Sequence, residues 1–294
     1  MTRLQFGRQI MAKAITVGTD NSTRENIFKK ISGDVGSTQF GPRIIAFLNT
    51  IAVPVLLLAL WQILSGSGLL LDVILPSPVK VVKALFEMIK DGSLGVDLAV
   101  SGKRVLIGYL WGAGIALILG VFSGLNKIAE RVFSPVINVI RQIPLYAWMP
   151  LIILWFGIGE VSKEIIIARG VLIPIYLNTL QGIKGVQAEY FELAEVLELK
   201  RSVFLRKVVL PSAVSSIFTG LRLGAGNAWM AVVAAEMLGG LTGLGYALMK
   251  SREFLWSDKL IALMVVIGVI GVIIDVILHQ IEIRSLKWKR KAVK

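Results

Sequence analysis

Few residues of this 294-residue sequence have the types and spacing that catalysis requires. There is no cysteine, which excludes disulfides and thiol-based metal or redox chemistry. The single histidine, His279, stands near the end of an apolar run and cannot build a zinc site unaided. A Ser/His/Asp set, a carboxylate pair and a metal-ligand cluster are not evident. We therefore expect this chain to carry no catalytic residue and no metal.

Three arginines stand inside apolar runs, namely Arg141, Arg169 and Arg222. A charge in such a run is expensive and usually faces a pathway or a charged partner. Arg141 and Arg169 lie close to the ends of their runs, where a long side chain can reach the interface. For these two residues, an interfacial role and a pathway role are both open.

Arg222 lies deeper in its run, within GLRLGAGNAW, and has Asn227 and Trp229 nearby in sequence. The small residues around it permit close helix packing or line a narrow opening. A cation in these surroundings suits the passage of an anion. The alternative is a structural ion pair with an acid such as Glu236 or Asp275.

Two prolines, Pro144 and Pro150, interrupt the run that follows Arg141. We expect them to bend or break the helix and to expose backbone groups that protein or cavity water must satisfy. Interrupted helices often border transport routes, and simple packing kinks are as common. The candidate pathway residues are Arg222, Asn227, Trp229, Arg141 and Pro144.

A charged segment, ELAEVLELKRSVFLRKVVLPSA at residues 192–213, separates two apolar runs. Glu, Leu, Ala, Lys and Arg are strong helix formers, so one or two short helices are predicted, closed by Pro211 before the next run. An apolar stripe with charged flanks is suited to docking in a groove of another protein. The alternative is an ordinary charged loop.

The elements that hold these residues are predicted to be membrane helices. Hydrophobic residues make up 55% of the chain, and its mean hydropathy is +0.74. A run of roughly 20 apolar residues crosses the hydrocarbon layer as a helix, whereas barrels show short alternating strands. The chain is therefore predicted to be an all-α polytopic membrane protein. Six spans are predicted, at Ile44–Leu64, Val105–Leu125, Val136–Gly157, Glu164–Ile183, Ser212–Leu238 and Leu260–Ile281.

The distribution of Lys and Arg predicts the orientation. An even number of spans places both termini on one side, and the segments on that side hold most of the basic residues. The positive-inside rule then places both termini in the cytoplasm. This organisation gives a basic tail at 1–43, a membrane domain at 44–281 with the charged segment at 189–211 in the cytoplasm, and a basic tail at 282–294. Attraction to anionic lipid accounts for the tail and the net charge of +13, without a nucleic-acid partner.

The loop after the first span contains LPSPVKVVKALFEMIKDGS. Pro78 suits the first turn of a helix, and the apolar residues that follow have helical spacing. A short amphipathic helix is predicted at the outer surface.

The charged segment resembles the cytoplasmic signature of permease subunits of ABC importers, E-A-A-x3-G-x9-I-x-L-P. Glu192, Ala194, Leu210 and Pro211 match it, and Val208 stands at the isoleucine position. Two residues depart, because Leu193 replaces an Ala and Glu198 replaces the Gly that allows a turn between two short helices. The resemblance implies that the segment contacts an ATPase, through Glu192, Leu193, Ala194, Glu195, Glu198, Val208, Leu210 and Pro211.

Three further stretches resemble the nitrate, sulfonate, taurine and bicarbonate branch of these permeases. They are RQIPLYAWMPLIILWFGIGEVSKEIIIA at 141–168, GLRLGAGNAWMAVVAAEML at 220–238 and GLGYALMKSREF at 243–254. The resemblance covers roughly residues 70–285. It implies the transmembrane domain of a type I ABC importer in a bacterial inner or plasma membrane, and the last stretch is most similar to the aliphatic sulfonate permeases.

The resemblance also implies partners for this chain. A second permease copy, two cytoplasmic ATP-binding subunits that bind ATP and magnesium, and an external substrate-binding protein are expected. The sequence has no G-x-x-x-x-G-K-[ST] loop, so ATP hydrolysis belongs to the partner, and no cofactor is expected on this chain.

Two rival functions are considered. A nitrate, taurine or bicarbonate permease of the same family is the alternative within the class. A secondary transporter driven by an ion gradient is the alternative of another class, and its coupling acids would be Glu236 and Asp275, the candidates near span interiors.

Overall fold

The structure, a computed structural model, describes residues 40–67, 71–186 and 188–285. These residues form helices joined by turns and contain no strand. The chain divides into two units, Met1–Trp61 and Gln62–Lys294. The predicted tails fall largely outside the described residues, at 1–39 and 286–294, so those two predictions stay predictions.

The described residues form eleven α-helices and one π-helical turn. The helices are α1 (Phe40–Gly66), α2 (Pro78–Lys90), α3 (Ser93–Leu125), α4 (Lys127–Gln142), α5 (Leu145–Phe156), α6 (Glu160–Lys184), α7 (Ala188–Val196), α8 (Arg201–Phe204), α9 (Leu210–Gly239), α10 (Leu244–Glu253) and α11 (Ser257–Ser285), with the π-helical turn at Leu205–Val209. This is the all-α architecture that the apolar runs predict.

Four helical stretches of the described residues are long and apolar enough to cross a membrane: α3, α6, Ser202–Gly239 and α11. The helices α4 and α5 pass the same test together and form a fifth span if they count as one. In α1 the apolar stretch at Ala52–Gly66 is shorter. The helix α3 begins at Ser93, well before the predicted start at Val105, because charged residues such as Asp97, Lys103 and Arg104 interrupt the apolar residues of its first three turns.

The prediction of a helix after the first span is confirmed by α2. Ser77 caps it by accepting a hydrogen bond from the Lys80 amide at 3.4 Å, and Pro78 occupies the first turn, where its missing N–H has no partner to lose. The face that carries Val81, Ala84 and Met88 is buried. The helix α2 packs against α3 and α11.

The core is formed by α6, which packs along both α3 and α9. Small residues bring these helices together, as is usual in membranes. On α3 they recur at four-residue spacing, at Gly108, Gly112, Ala116, Gly120 and Gly124. A methyl group on Gly112 would lie 2.6 Å from the carbonyl oxygen of Ala168, so the two backbones touch.

The glycines of α9 have two different roles. A methyl group on Gly220 would lie 2.8 Å from Cβ of Asn178, and one on Gly224 would lie 3.0 Å from the Ile175 side chain, both on α6. These two glycines serve close packing. Gly226 faces open space.

The predicted interruption near Pro144 is confirmed. The helices α4 and α5 meet at an angle of 102°, and Pro144 stands at the corner. Pro150, in contrast, lies inside α5 and does not break it. The predicted third span is therefore two short helices rather than one continuous rod.

Pro211 does not close the charged segment as predicted. The chain is helical without interruption from Arg201 to Gly239, and Pro211 is the second residue of α9. The π-helical turn precedes it, with the Leu210 amide bonded to the Leu205 carbonyl. A π turn widens the helix before a proline and relieves the clash of its ring with the preceding turn. The part of the segment from Arg201 onward is thus continuous with α9.

Candidate functional site

The charged segment folds as a short helix, a tight turn and a return into α9. The helix α7 ends in a turn in which the Leu199 amide bonds to the Ala194 carbonyl and the Glu198 amide bonds to the Glu195 carbonyl, each at 3.0 Å. This is the Schellman arrangement, whose turn residue takes the left-handed conformation that glycine prefers. Glu198 occupies that position with a φ of 47°. The turn therefore forms in this chain although a glutamate replaces the glycine of the signature.

One face of the segment is open to solvent. Leu193, Val196 and Leu197 are 54%, 81% and 60% exposed, and they lie on or just beyond α7. The acidic residues Glu192, Glu195 and Glu198 are exposed beside them. Three large apolar side chains on one exposed turn of helix form an apolar patch with an acidic border, which we call the docking patch.

The other face of the segment packs on the permease itself. Ala194 contacts a buried cluster formed by Ile183, Val186, Phe204, Val209 and Ala213. Val208, at the isoleucine position of the signature, packs against the same cluster, and Leu210 and Pro211 are half-buried. The eight predicted coupling residues thus divide into an exposed group at the docking patch and an inward group that fixes the patch to α9.

Arg222 lies in an ion cluster between α9 and α11. Its Nε donates to Asp275 Oδ1 at 2.8 Å, and its Nη1 lies 2.9 Å from Nδ1 of His279 and 3.4 Å from Oε2 of Glu282. Asp275 is one of the two acids predicted as its partner. The Arg222 side chain remains about one-third exposed, so the ion pair does not bury it.

The other candidate pathway residues contact different helices. Asn227 donates to the Gly170 carbonyl of α6 at 3.3 Å, and the indole of Trp229 donates to the Ile267 carbonyl of α11 at 3.0 Å. Trp229 is buried, whereas Arg141 and Pro144 are exposed at the corner between α4 and α5. Their hydrogen bonds go to different helices, so these residues do not form one cluster within this chain.

A second ion cluster, which the sequence analysis does not predict, lies at the opposite end of the helical bundle. Arg104 donates from Nη1 to Glu236 at 2.7 Å, and both side chains are buried, at 4% and 0% exposed. Ser101 and the Gly245 amide also donate to Glu236, at 2.8 and 2.9 Å. These hydrogen bonds compensate the buried carboxylate for its lost hydration. The Arg104–Glu236 pair therefore holds α3 and α9 together, and we call it the structural lock.

Arg104 also reaches α6 and the loop before α10. Its Nε and Nη2 form a two-pronged contact with Glu160 at 2.6 and 2.7 Å, and its Nη1 donates to the Thr242 carbonyl at 2.8 Å. Two-pronged arginine–carboxylate contacts fix geometry as well as charge. Arg104 therefore holds three helices and the connecting loop at one point.

Arg169 has a role that its sequence position hides. It lies well inside α6, and its Nη2 donates to the Ile140 and Ile143 carbonyls at 2.7 and 2.5 Å. Both carbonyls lie at the C-terminal end of α4, where Pro144 breaks the span, and the Ile140 carbonyl also accepts from the Ile143 amide at 3.3 Å. The guanidinium also lies 5.6 Å from the ring centre of Trp148. Arg169 thus binds backbone carbonyls at the C-terminal end of α4.

Within the described residues, no group of three or more histidine, aspartate or glutamate side chains is placed to hold a metal ion. The charged residues described above form ion pairs or caps between helices, whereas the docking patch presents exposed apolar side chains beside exposed acidic ones.

Comparison with known proteins identifies the chain. Residues 112–286 match the family described as "Binding-protein-dependent transport system inner membrane component". The chain belongs to this family. It is a membrane-embedded ABC transporter permease, and the family resemblance inferred from the charged segment is confirmed.

Named relatives agree with this assignment. The permease is 38% identical to "Putative aliphatic sulfonates transport permease protein SsuC" of Bacillus subtilis over 95% of this chain and 98% of that protein. It is 31% identical to "Taurine transport system permease protein TauC" of Escherichia coli, over 82% and 88% of the two chains. It is 33% identical to "Nitrate import permease protein NrtB" of Synechocystis, over 80% and 87%.

Solved structures share the fold. A chain of the inward-facing MetNI methionine ABC transporter aligns with a TM-score of 0.55 at 17% identity, over 63% of the permease and 92% of that chain. A chain of an amino acid ABC transporter aligns with a TM-score of 0.54 at 19% identity, over 74% and 100%. The permease therefore has the fold of ABC importer transmembrane domains, as the sequence predicts.

Proposed function

We propose that the permease forms half of the translocation path of an ATP-driven importer for a small oxyanion. Two copies pair in the membrane, and each docks the segment at 189–211 into one of two cytoplasmic ATP-binding subunits. ATP and magnesium are bound by those subunits, and an external binding protein delivers the substrate. Closure of the ATPase pair moves the docking patches together and switches the permeases between their two states.

The docking patch is the observation that carries this proposal. Exposed apolar surface with a charged border is typical of a contact site for another protein. Ala194 and Val208 of the inward group pack on the buried cluster, whose members Phe204 and Val209 belong to the uninterrupted helix that runs from Arg201 into α9. A displacement of the patch is therefore transmitted to a membrane span rather than lost in a flexible loop.

Affinity purification tests the docking contact. The tagged permease is expected to bring down a stoichiometric ATP-hydrolysing subunit, and Leu193→Asp is expected to abolish that recovery. The matched control is Leu241→Asp, which changes an equally apolar, 80% exposed residue outside the segment and should leave recovery unchanged. Equal recovery of the ATPase with both variants would show that the patch is not the contact.

Two further variants separate docking from folding. Glu192→Lys reverses an exposed charge at the patch, and Ala194→Trp inserts a large side chain beneath it. Both are expected to uncouple ATP hydrolysis from transport in a permease that still assembles in the membrane. Normal uptake in both variants would remove the segment from the coupling mechanism.

The substrate class is proposed from the relatives and from the ion cluster at Arg222. An aliphatic sulfonate is the first candidate, and nitrate, taurine and bicarbonate are the alternatives, since relatives with the first three names align over most of the chain. Uptake of each labelled anion is to be measured with the cognate binding protein present. Saturable uptake of a sulfonate that excess nitrate does not suppress supports the first candidate.

Arg222 is proposed to contact the passing anion, with Asn227, Trp229, Arg141 and Pro144 along the same path. About one-third of its side chain is exposed, although Asp275 is its partner. Arg222→Ala is expected to slow anion uptake more than Arg222→Lys, which keeps the charge. Wild-type uptake rates in both variants would exclude Arg222 from the path and leave it only a structural role in the ion pair with Asp275.

Both termini are proposed to lie in the cytoplasm of a bacterial inner membrane. The excess of Lys and Arg in the segments on that side supports this orientation. The sequence has no cysteine, so Glu192→Cys provides a single reactive thiol at the docking patch. With the permease expressed without its ATPase, which would cover this position, a membrane-impermeant thiol reagent should modify the thiol in inside-out vesicles and leave it unmodified in intact cells; the reverse pattern would invert the topology.

A further inference from the structure

A large cavity lies beside the charged segment at 189–211, which we now call the coupling segment. It is bounded by α4, the end of α6 and the π-helical turn. Its volume is about 1070 Å³, several times that of a small oxyanion, and it is open on one side. None of the pathway or docking residues named above lines it. It is therefore a separate feature of the permease.

The wall that α4 contributes is polar and positively charged. Lys127, Arg131, Ser134 and Asn138 follow one another at helical spacing along that wall, and Glu130 stands among them. Lys184, on α6, bonds to Glu130 at 2.7 Å and neutralises it. The charges of Lys127 and Arg131 thus remain in excess at the mouth of the cavity.

The opposite wall is apolar. Leu125, Ile183, Phe204, Leu205 and Val209 line it, and three of them belong to the buried cluster beneath the docking patch. A small inorganic anion cannot cover this wall, and a purely apolar molecule would leave the two cations without a counter-charge. The two walls together require an occupant with an anionic end and an apolar end.

A buried polar atom points to a missing partner at the same place. Ser123 lines the cavity and is only 1% exposed, and its Oγ has no hydrogen-bond partner. Buried hydroxyl groups are normally satisfied, so an unpaired one needs a specific explanation. An oxyanion bound at this wall would supply the acceptor.

The outer face of α4 indicates how such an occupant could arrive. Ile128, Val132, Val136 and Val139 are each more than half exposed on the face away from the cavity's polar wall. An exposed apolar face on a helix of a membrane protein is suited to lipid. The cavity therefore opens beside a helix that the hydrocarbon layer can cover, with its cations at the polar end.

We propose that this cavity binds an anionic amphiphile, a phosphate or sulfonate head group joined to an apolar chain. The head group is held by Lys127 and Arg131 and accepts from Ser123, and the chain lies against Phe204, Leu205 and Val209. Basic pockets beside membrane helices commonly take anionic lipid head groups. Because the chain contacts the residues that support the docking patch, the occupant braces the coupling segment.

Protection of a single introduced thiol tests the proposal. Asn138→Cys places one thiol on the polar wall of a chain that has no other. The permease is assembled with its ATPase partner in nanodiscs of phosphatidylcholine, and the rate of maleimide modification of its own band is measured. At about ten times its dissociation constant, a ligand should slow that rate about tenfold, because only the empty fraction reacts.

The choice of probes distinguishes lipid from a soluble ligand. Phosphatidylglycerol added to the nanodisc tests the membrane source, and hexanesulfonate added to the buffer tests the aqueous source. Methanesulfonate lacks the chain and hexyltrimethylammonium reverses the charge, so neither should protect. Protection by one or both anionic amphiphiles supports the site; no protection by either, or equal protection by one of the control compounds, overturns it.

Charge variants complete the test. Lys127→Gln combined with Arg131→Gln should abolish the protection. The matched control is Lys287→Gln with Lys289→Gln, which removes the same charge from the C-terminal tail and should retain it. Loss of protection in both pairs would show a general surface effect. Anion uptake, measured separately, is not needed for this result, so failure here leaves the importer proposal standing.

Discussion

At the scale of single residues, the permease contains two arginine ion clusters with opposite environments. The Arg104–Glu236 pair is buried and fully hydrogen-bonded, whereas the Arg222–Asp275 pair is partly exposed, with side chains 34% and 57% accessible. A buried pair is sensitive to the loss of one partner, because the remaining charge has neither water nor a counter-ion. Both clusters pair an arginine with a carboxylate, and the difference in burial determines how strongly each pair affects the stability of the permease.

Arg104→Met is expected to destabilise the permease by about 3–5 kcal/mol, since it leaves the Glu236 carboxylate buried without its cation. Adding Glu236→Gln should recover part of the loss, because the amide oxygen still accepts from Ser101 and the Gly245 amide while the charge is gone. Thermal unfolding in detergent measures both effects.

Arg222→Met is the control for that measurement, and a far smaller loss of stability is expected, because solvent reaches the acids it leaves behind. Equal losses in Arg104→Met and Arg222→Met would contradict the assignment of the Arg104 cluster as the structural lock.

At the scale of elements, the turn after α7 depends on one backbone conformation. Glu198 takes the left-handed region, which costs a residue with a Cβ roughly 1–2 kcal/mol relative to glycine. Glu198→Gly is therefore expected to raise the thermal stability of the permease or leave it unchanged. The matched control is Glu195→Gly, inside α7, which should lower stability by up to about 1 kcal/mol because glycine weakens a helix interior.

Both glutamates are exposed, so differences in charge and burial are small and the two variants report the backbone. A larger loss from Glu198→Gly than from Glu195→Gly would show that the turn does not require the left-handed conformation.

The contact between α3 and α6 depends on the missing side chain of Gly112. Gly112→Ala is expected to destabilise the permease by about 1–3 kcal/mol, since its methyl group would overlap the backbone at Ala168 and force the helices apart. Gly114→Ala, two residues along the same helix, meets nothing within 4 Å and should be neutral or stabilising. Thermal unfolding of the two variants in parallel decides the matter, and equal behaviour would contradict the close contact.

The sequence predicts elements better than it predicts contacts between them. Apolar runs reveal the spans, and Pro144 reveals the break, because both are local properties of the chain. The ion pair of Arg104 is not predicted from the sequence, because its partner, Glu236, lies 132 residues further along the chain. The contacts of Arg169 are not predicted for a related reason, since the two carbonyls that it binds lie 29 and 26 residues earlier, at the end of α4.

The coupling segment is predicted from the sequence in one respect and not in another. Its helical composition and spacing predict the short helix, and its signature predicts the family. The sequence does not reveal that Pro211 continues the helix, because a proline is read as a helix end unless a π-helical turn, here at Leu205–Val209, precedes it.

At the scale of the whole molecule, the source of energy separates the importer from its rival. A transporter driven by an ion gradient needs embedded acids that can take up and release the ion. Glu236 and Asp275, the acids near span interiors, are both engaged by arginines in this structure. Each carboxylate already has an arginine as its counter-ion, so a coupling cation would have to compete with that arginine for it.

Uptake by the reconstituted permease, ATPase and binding protein is therefore expected to require ATP on the side of the membrane where the ATPase is bound. Dissipation of proton and sodium gradients by ionophores should leave the initial rate unchanged, because no step uses those gradients. The permease carrying Leu193→Asp, assayed alongside, should lose uptake at every ATP concentration, since its docking patch no longer transmits ATPase closure to α9. Uptake that continues without ATP and follows an imposed ion gradient would contradict the importer, and Glu236→Gln and Asp275→Asn would then identify the acid that carries the ion.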